Sequence, residues 1–230
     1  MSAAPALEPL ADDALLLRLG SAIDPSTSAA VVQLAARIRA AQHPWLRDLV
    51  PAYASLAVFF DPEAFAGDGH TAVGEVLMEA ATRPLDAAQD AAAPRLREIP
   101  VHYGGQCGVD LEGCAQELGL TVEEVVTRHG AAEYTVAMIG FAPGFPYLLG
   151  LDPSLALPRL ATPRAQVPAG SVAIGGAQTG IYPRDSAGGW RLIGRTPLVL
   201  FDASRDPPSL LQAGDRVKFV AVSGQWDATP

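Results

Sequence analysis

Lysine is nearly missing from this 230-residue chain: of its 16 basic residues only Lys218 is a lysine, and the rest are arginine. No GxxxxGK[ST] run exists, which excludes a P-loop, and only Lys218 could serve as a Schiff-base amine. Any contact with a phosphate or carboxylate must rest on arginine, backbone N–H groups or a metal. Cysteine is equally scarce. Cys107 and Cys114 stand seven positions apart, and His43, His70, His102 and His129 are scattered, so no zinc-ligand spacing forms and no bound metal is expected. The two thiols could pair, but reduced, partly buried thiols are the expectation for a cytosolic chain. Positive charge is in deficit: a net charge of -9 and a pI near 4.8 argue against nucleic acid or an anionic membrane as the main partner. Long apolar runs are missing as well. The longest, residues 52–60, is far too short to cross a bilayer. Residues 1–10 are rich in Ala and Pro and lack the basic-then-apolar order of a secretory leader, so a cytoplasmic protein is expected.

What is present divides in two. Residues 14–19 read as a short apolar strand ending at Gly20, and Asp24-Pro25 opens a helix whose Val31, Leu34, Ala35 and Ile38 line one face. Residues 46–50 and 55–60 read as strands joined at Pro51, residues 71–81 as a helix capped by Thr71, and residues 96–102 as a strand. The order β-α-β-β-α-β suggests a ferredoxin-like split βαβ unit. The Ala-rich stretch 87–94 is the expected linker. Beyond it, Asp110 is expected to cap a helix closed by Gly119, and Thr121 with Glu124 forms a capping box opening a helix that ends near His129-Gly130. This helix pair resembles a helix-turn-helix, but Glu123 and Glu124 make its second helix a poor phosphate surface, so DNA binding is excluded. Residues 133–139, 171–174, 179–182, 190–193, 198–201 and 216–222 read as short strands, the pattern of a closed barrel or sandwich. The fold class read here is α+β in two domains: an α/β domain over residues 1–92 and a β-rich domain over 93–230.

Glycine and proline crowd residues 138–202, together with aromatic and polar side chains set beside the turns they make. The 140–147 loop, Gly-Phe-Ala-Pro-Gly-Phe-Pro-Tyr, leaves a strand with Pro143 and Pro146 stiffening it. Phe141, Phe145 and Tyr147 form either a binding platform or a hydrophobic plug. Arg164, Ser171, Gln178, Thr179, Tyr182, Trp190 and Arg195 complete the candidate substrate- or partner-binding set. It is rich in donors and poor in bases, which suits an amide or a carboxylate, although each residue could equally serve a turn or a strand end. Ser171 lacks the GxSxG elbow, so a serine hydrolase is not expected. His129, Arg164 and Gln178 are the weak catalytic candidates; His129, at a helix C-terminus, is as much a cap as a general base.

These motifs carry a family resemblance. Tyr103-Gly-Gly, the Glu-Glu-Val-Val helix to His129, Glu133-Tyr-Thr-Val and the 140–147 loop appear in order. Pro163-Arg, Val167-Pro-Ala-Gly-Ser, Gln178-Thr-Gly-Ile-Tyr-Pro, Gly188-Gly-Trp, Gly194-Arg-Thr-Pro and Leu200-Phe-Asp follow. The set resembles the B component of 5-oxoprolinase, also called allophanate hydrolase subunit 1 or the Kip inhibitor of a sensor histidine kinase. Ala187, Cys107 and Leu149 depart from that pattern without removing a polar candidate. The resemblance implies a cyclophilin-like β-barrel behind a small α/β domain. It implies partnership with the 5-oxoprolinase C component, a homologue like allophanate hydrolase subunit 2, and with the A component. It implies ring opening of 5-oxo-L-proline, a small lactam, to L-glutamate at the expense of Mg-ATP in the complex, with no biotin on this chain and no activity of the chain alone. It also keeps two alternatives open: inhibition of a histidine kinase, and a part in urea or allophanate hydrolysis.

Overall fold

The computed structural model describes residues 4–84, 94–224 and 226, and the chain divides into two compact units, Met1–Pro94 and Arg95–Pro230. Of the stretch read as a linker, all but Pro94 lies outside the described residues.

The first unit contains β1 (Ala6–Ala11), β2 (Ala14–Arg18), α1 (Pro25–Ala40), β3 (Leu46–Pro51), β4 (Ser55–Phe60) and α2 (Gly69–Thr82). Its antiparallel sheet has the order β1-β2-β4-β3. Asp24 caps α1 by accepting from the N–H groups of Ser26 (2.9 Å) and Thr27 (3.1 Å), with Pro25 at the first helical position. α2 starts earlier than Thr71 predicts, because Asp68 supplies the cap, accepting from His70 N–H at 3.1 Å. β4 alternates buried and half-buried residues, and its Leu56, Val58 and Phe60 form one core with Leu15 and Leu17 of β2, Val31, Leu34 and Ile38 of α1, and Val73 and Leu77 of α2.

The split unit is therefore present, with β4 inserted between β2 and β3, but the β-α-β-β-α-β order is not. The fourth place in the sheet belongs to β1, ahead of the unit rather than behind it. Residues 6–11 escape the sequence patterns because an edge strand with Pro9 and almost no buried residue shows no alternation. With that edge filled, the strand after α2 has no place in this sheet.

That strand is β5 (Leu96–Tyr103) of the second unit. It is followed by α3 (Leu111–Leu118), α4 (Val122–Ala131), β6 (Glu133–Ile139), β7 (Pro146–Leu149), β8 (Arg164–Val167), β9 (Ser171–Gly175), β10 (Gln178–Ile181), β11 (Ser186–Gly188), β12 (Arg191–Arg195) and β13 (Arg216–Ala221). Seven strands close a barrel in the order β10-β7-β6-β13-β5-β12-β9, and β8 and β11 form a separate pair. Gly119 ends α3 in the left-handed conformation, and the Thr121–Glu124 box opens α4 with both of its hydrogen bonds made. Asp110 does not cap α3: its carboxylate accepts instead from Leu192 N–H (2.7 Å) and Arg164 (2.6 Å). Residues 198–201 are irregular apart from a bridge between Phe201 and Ser209.

Val172 and Ile174 of β9, Ile193 of β12 and Phe219 of β13 point inward with Tyr134 and Val136 of β6. His129 sits among them, fully buried and stacked on Phe219 at 4.5 Å. Its protonation follows from its partners. Thr179 Oγ1 donates to the Ala173 carbonyl (3.0 Å), so it accepts from His129 Nε2–H (3.0 Å), and Nδ1 is left to accept from the Tyr103 hydroxyl (2.7 Å). Burial disfavours the imidazolium and pushes the His129 pKa from 6.5 down to about 3. This neutral, sealed ring is a core element rather than a general base. An unfolded chain regains the ordinary histidine value and binds a proton that the folded chain refuses. Stability is therefore intact above about pH 6.5 and falls by about 1.4 kcal/mol per pH unit below it, levelling off near pH 3. Urea unfolding of the wild type and of His129→Gln between about pH 6 and 4.5 should show that extra slope in the wild type alone. The variant itself should be about 2 kcal/mol less stable at neutral pH.

Candidate functional site

The barrel's outer face carries a second core. Phe145, Tyr182, Trp190, Val167, Ala173 and Leu192 pack together, with Tyr147 half-buried against them. Their rings meet edge to face: Phe145 to Tyr182 at 5.2 Å, Phe145 to Trp190 at 5.6 Å and Tyr147 to Trp190 at 5.9 Å. Arg159 lies over Trp190 at 5.5 Å. Phe145, Tyr182 and Trp190 are 2 %, 2 % and 5 % exposed, so of the three rings on the 140–147 loop Phe145 is buried packing.

Phe141 is different. It stands 62 % exposed at the tip of the same loop, in T-shaped contact with Phe145 (5.3 Å) and Tyr182 (6.2 Å). Its φ of +65° is uncommon for a bulky residue and costs conformational energy that the surroundings must offset. Gly144, at φ +81°, makes the return turn, and a Cβ there would lie 2.7 Å from Phe201 Cβ. An apolar ring is thus held out into solvent by a strained loop whose base is clamped. Val199, beside the segment that Gly144 meets, is 60 % exposed.

Beyond Tyr182 lies a turn and a cation. The Tyr182 carbonyl accepts from Gly170 N–H (2.7 Å) and its N–H donates to the Ser171 carbonyl (2.9 Å). Ala169 N–H donates to Asp185 (2.8 Å), while the Ala169 carbonyl accepts from Arg195 Nε (2.7 Å). Gly170 needs its φ of +80° and its missing side chain, since a Cβ would lie 2.2 Å from the Thr196 carbonyl oxygen. Asp185 accepts also from Gln166, and these two donors, with Arg195 nearby, hold its carboxyl below the usual carboxylate range.

Of the residues singled out in the sequence, the structure gathers Phe141, Phe145, Tyr147, Tyr182 and Trp190 in ring contact, and it joins Ser171 and Arg195 to them through the 168–170 turn. Thr179 it turns away, into the barrel at His129. Gln178 lies opposite Gly175, where a Cβ would meet the Trp190 ring, and Arg164, ion-paired with Asp110, lies opposite Gly188, where a Cβ would meet the Tyr182 hydroxyl. Ser171 is buried and offers mainly its backbone. Trp226, whose ring lies 4.9 Å from the Arg195 guanidinium, was missed because it stands in a tail without any motif. No group of three metal-ligating side chains comes together among the described residues, and no helix of them is long and apolar enough to cross a membrane.

A family model described as "Carboxyltransferase domain, subdomain C and D" matches residues 5–211. The B component of 5-oxoprolinase from Bacillus subtilis is 41% identical over 226 residues, covering 94% of this chain and 92% of that protein. The chain belongs to the family of 5-oxoprolinase B components. The crystal structure of TTHA0988 is similar with a TM-score of 0.79 and 38% identity over 92% of this chain, which spans only 40% of that longer chain. Urea amidolyase of K. lactis, at 19% identity, a TM-score of 0.72 and 95% and 15% coverage, shares the fold, and the seven-stranded barrel fits the cyclophilin-like type. Membership in a family of subunits implies partner subunits in a complex.

Within this family fold, Phe141 and Phe145 answer different needs, and substitution should separate them. Phe145→Ala should cost about 3–5 kcal/mol of stability, as expected for a buried ring. Phe141→Ala should change stability by less than about 0.5 kcal/mol, read as urea midpoints.

Proposed function

We propose that this chain is the B component of an ATP-dependent 5-oxoprolinase, working with a homologous C component and an A component to convert 5-oxo-L-proline, ATP and water to L-glutamate, ADP and phosphate. The observation that carries the reading on this chain is the exposed, strained Phe141, with a fixed arginine, Arg195, joined to its neighbour Tyr182 through the 168–170 turn, on a fold whose relative of nearly equal length bears the name of that component. An apolar ring and a guanidinium fork match the two features of the substrate, a small hydrocarbon ring and an α-carboxylate.

A lactam resists water because resonance makes its carbonyl a poor electrophile, and the free energy of ATP is what overcomes this in the complex. The residues here form no P-loop for a nucleotide. The glycine-rich 140–147 loop runs from β6 to β7 without opening a helix, and Lys218 lies on β13. No step through the nucleotide is assigned to this chain. What this chain supplies is position: a preorganised face that fixes the ring while a partner closes over it and excludes water. His129, sealed and neutral, takes no part in proton transfer.

A second reading, docking on a histidine kinase, draws on the same exposed Phe141 and Val199 as an apolar contact. Co-expression with candidate A and C components, followed by an ATP-dependent glutamate-release assay, decides. Activity is expected of the assembled complex and none of the purified single chain; turnover by that chain unaided would overturn the shared-site reading. Phe141→Ala should lower kcat/KM of the complex by roughly tenfold or more, the loss of one buried aromatic contact. Recovery of a kinase without the C component in a pull-down would favour the second reading.

A further inference from the structure

Arg195, at the end of β12, is held by a carbonyl and a ring and makes no direct ion pair among the described residues, although Asp185 lies near it. Other arginines of this acidic chain are matched to carboxylates: Arg18 to Glu8, Arg95 to Asp215, Arg164 to Asp110 and Arg191 to Glu117. Arg195 instead gives its Nε–H to the Ala169 carbonyl at 2.7 Å and lays its guanidinium against Trp226 at 4.9 Å. Trp226 is braced in turn by His102, edge-on at 5.2 Å, and His102 is the register partner of Arg195 on β5. Ala169 is pinned by Asp185, whose oxygens are taken up by Ala169 N–H and Gln166 Nε2. Among the described residues neither Nη nitrogen of Arg195 has a hydrogen-bond acceptor, and neither is buried. The indole N–H of Trp226 is buried and has no acceptor among the described residues either.

A guanidinium fixed in plane by a carbonyl on one edge and an indole on one face presents its remaining N–H groups as a ready fork. A carboxylate is its natural complement, and little side-chain entropy remains to be lost on binding. A single cation with a carboxylate close by suits a monoanion better than a phosphate, which normally gathers several donors or cations.

We propose that Arg195 is the anchor for the carboxylate of a small acid and that Trp226 is the positioning residue that holds it flat. The identification of that acid as 5-oxoproline rests on the function proposed above; the anchor itself does not. The full chain carries three tryptophans, Trp45, Trp190 and Trp226, so its indole N–H resonances can be assigned with Trp226→Phe. Titration with 5-oxoproline should move the Trp226 resonance. 2-Pyrrolidinone, the same ring without the carboxylate, and inorganic phosphate should not, and Arg195→Gln should abolish the response. In the assembled complex, Arg195→Gln and Arg195→Lys should raise KM for 5-oxoproline roughly 10- to 100-fold, with a much smaller change in kcat. Trp226→Ala should raise KM, and Trp226→Phe, which keeps an aromatic face, should restore most of the affinity. An equal shift with 2-pyrrolidinone, a response to phosphate instead, no response to any small carboxylate, or an unchanged KM in Arg195→Gln would each overturn the anchor. A wild-type complex that releases no glutamate sinks the oxoprolinase reading alone, because titration with a small carboxylate against its neutral counterpart reads the anchor whatever the reaction.

Discussion

The barrel depends on one long-range pairing, that of β5 with β13. The two run parallel from Leu96 opposite Arg216 to Val101 opposite Ala221, more than a hundred residues apart in sequence. Parallel neighbours so distant gain nothing from a local turn, so their register needs another constraint. Arg95 supplies it, forking onto Asp215 through Nε (3.0 Å) and Nη2 (2.8 Å), while Arg216 N–H donates to the Arg95 carbonyl (2.9 Å). Asp215 is nearly buried and also accepts from Gln212 N–H at 2.9 Å, so its charge is satisfied by several donors in one fixed place. The consequence reaches the candidate site. In this register the chain leaving β13 brings Trp226 to His102, and β12 on the other side of β5 brings Arg195 to the same spot. Slipping β13 by one residue would turn Val217 and Phe219 away from the interior and carry the indole off the guanidinium.

The second constraint is the division of the barrel's aromatic residues between two cores. Inside, Tyr134, Phe219 and His129 form a group of packed rings, His129 stacked on Phe219, and the Tyr134 hydroxyl donates to the His129 carbonyl at 2.8 Å. Outside, Phe145, Tyr182 and Trp190 bury their faces against Ala173 and Leu192. Small residues make this possible: a Cβ at Gly175 would meet Trp190 at 2.5 Å, and one at Gly180 would meet the Pro146 carbonyl at 2.9 Å. A stiff outer layer then serves as the foundation on which Phe141 can be held in a costly conformation. The loop is rigid because it is clamped from below, and the clamp uses residues that never meet solvent.

Much of this fold was legible because local chemistry decided it. Asp24-Pro25 and the Thr121–Glu124 box announce helix starts by their own hydrogen bonds, and residues 46–60 announce a pair of strands by their composition. What local chemistry could not decide was membership. β5 alternates as any strand does, and nothing in its eight residues says that it leaves the first sheet for the barrel. β1 was invisible because edge strands are not asked to alternate, and β8 and β11 because strands of four and three residues are shorter than any period. Asp110 has the sequence context of a cap, yet its carboxylate finds better partners in Arg164 and Leu192 N–H, a choice made by tertiary structure. The site was half legible for the same reason. Composition and turn density locate the Phe141 loop and Arg195, but Phe141 and Phe145 look alike in sequence, and only the turn at Gly144 sends one out and the other in.

At position 195 the choice of arginine over lysine has a structural ground. Lysine could put a positive charge at the same place, but an ammonium on a flexible stem has no plane to press against an indole. It would also have to choose between the Ala169 carbonyl and an incoming anion. Arginine separates these duties. One edge of the guanidinium is given to the turn, its centre lies over Trp226, and among the described residues its two Nη nitrogens have no further duty. The carbonyl that fixes it belongs to a turn that only Gly170 can complete, and Asp185 seals that turn from the other side. Each member of this set is therefore ordinary alone and constrained by the next. Acting as a group, they fix one guanidinium at the end of β12 in one orientation, the arrangement on which the proposed carboxylate anchor depends.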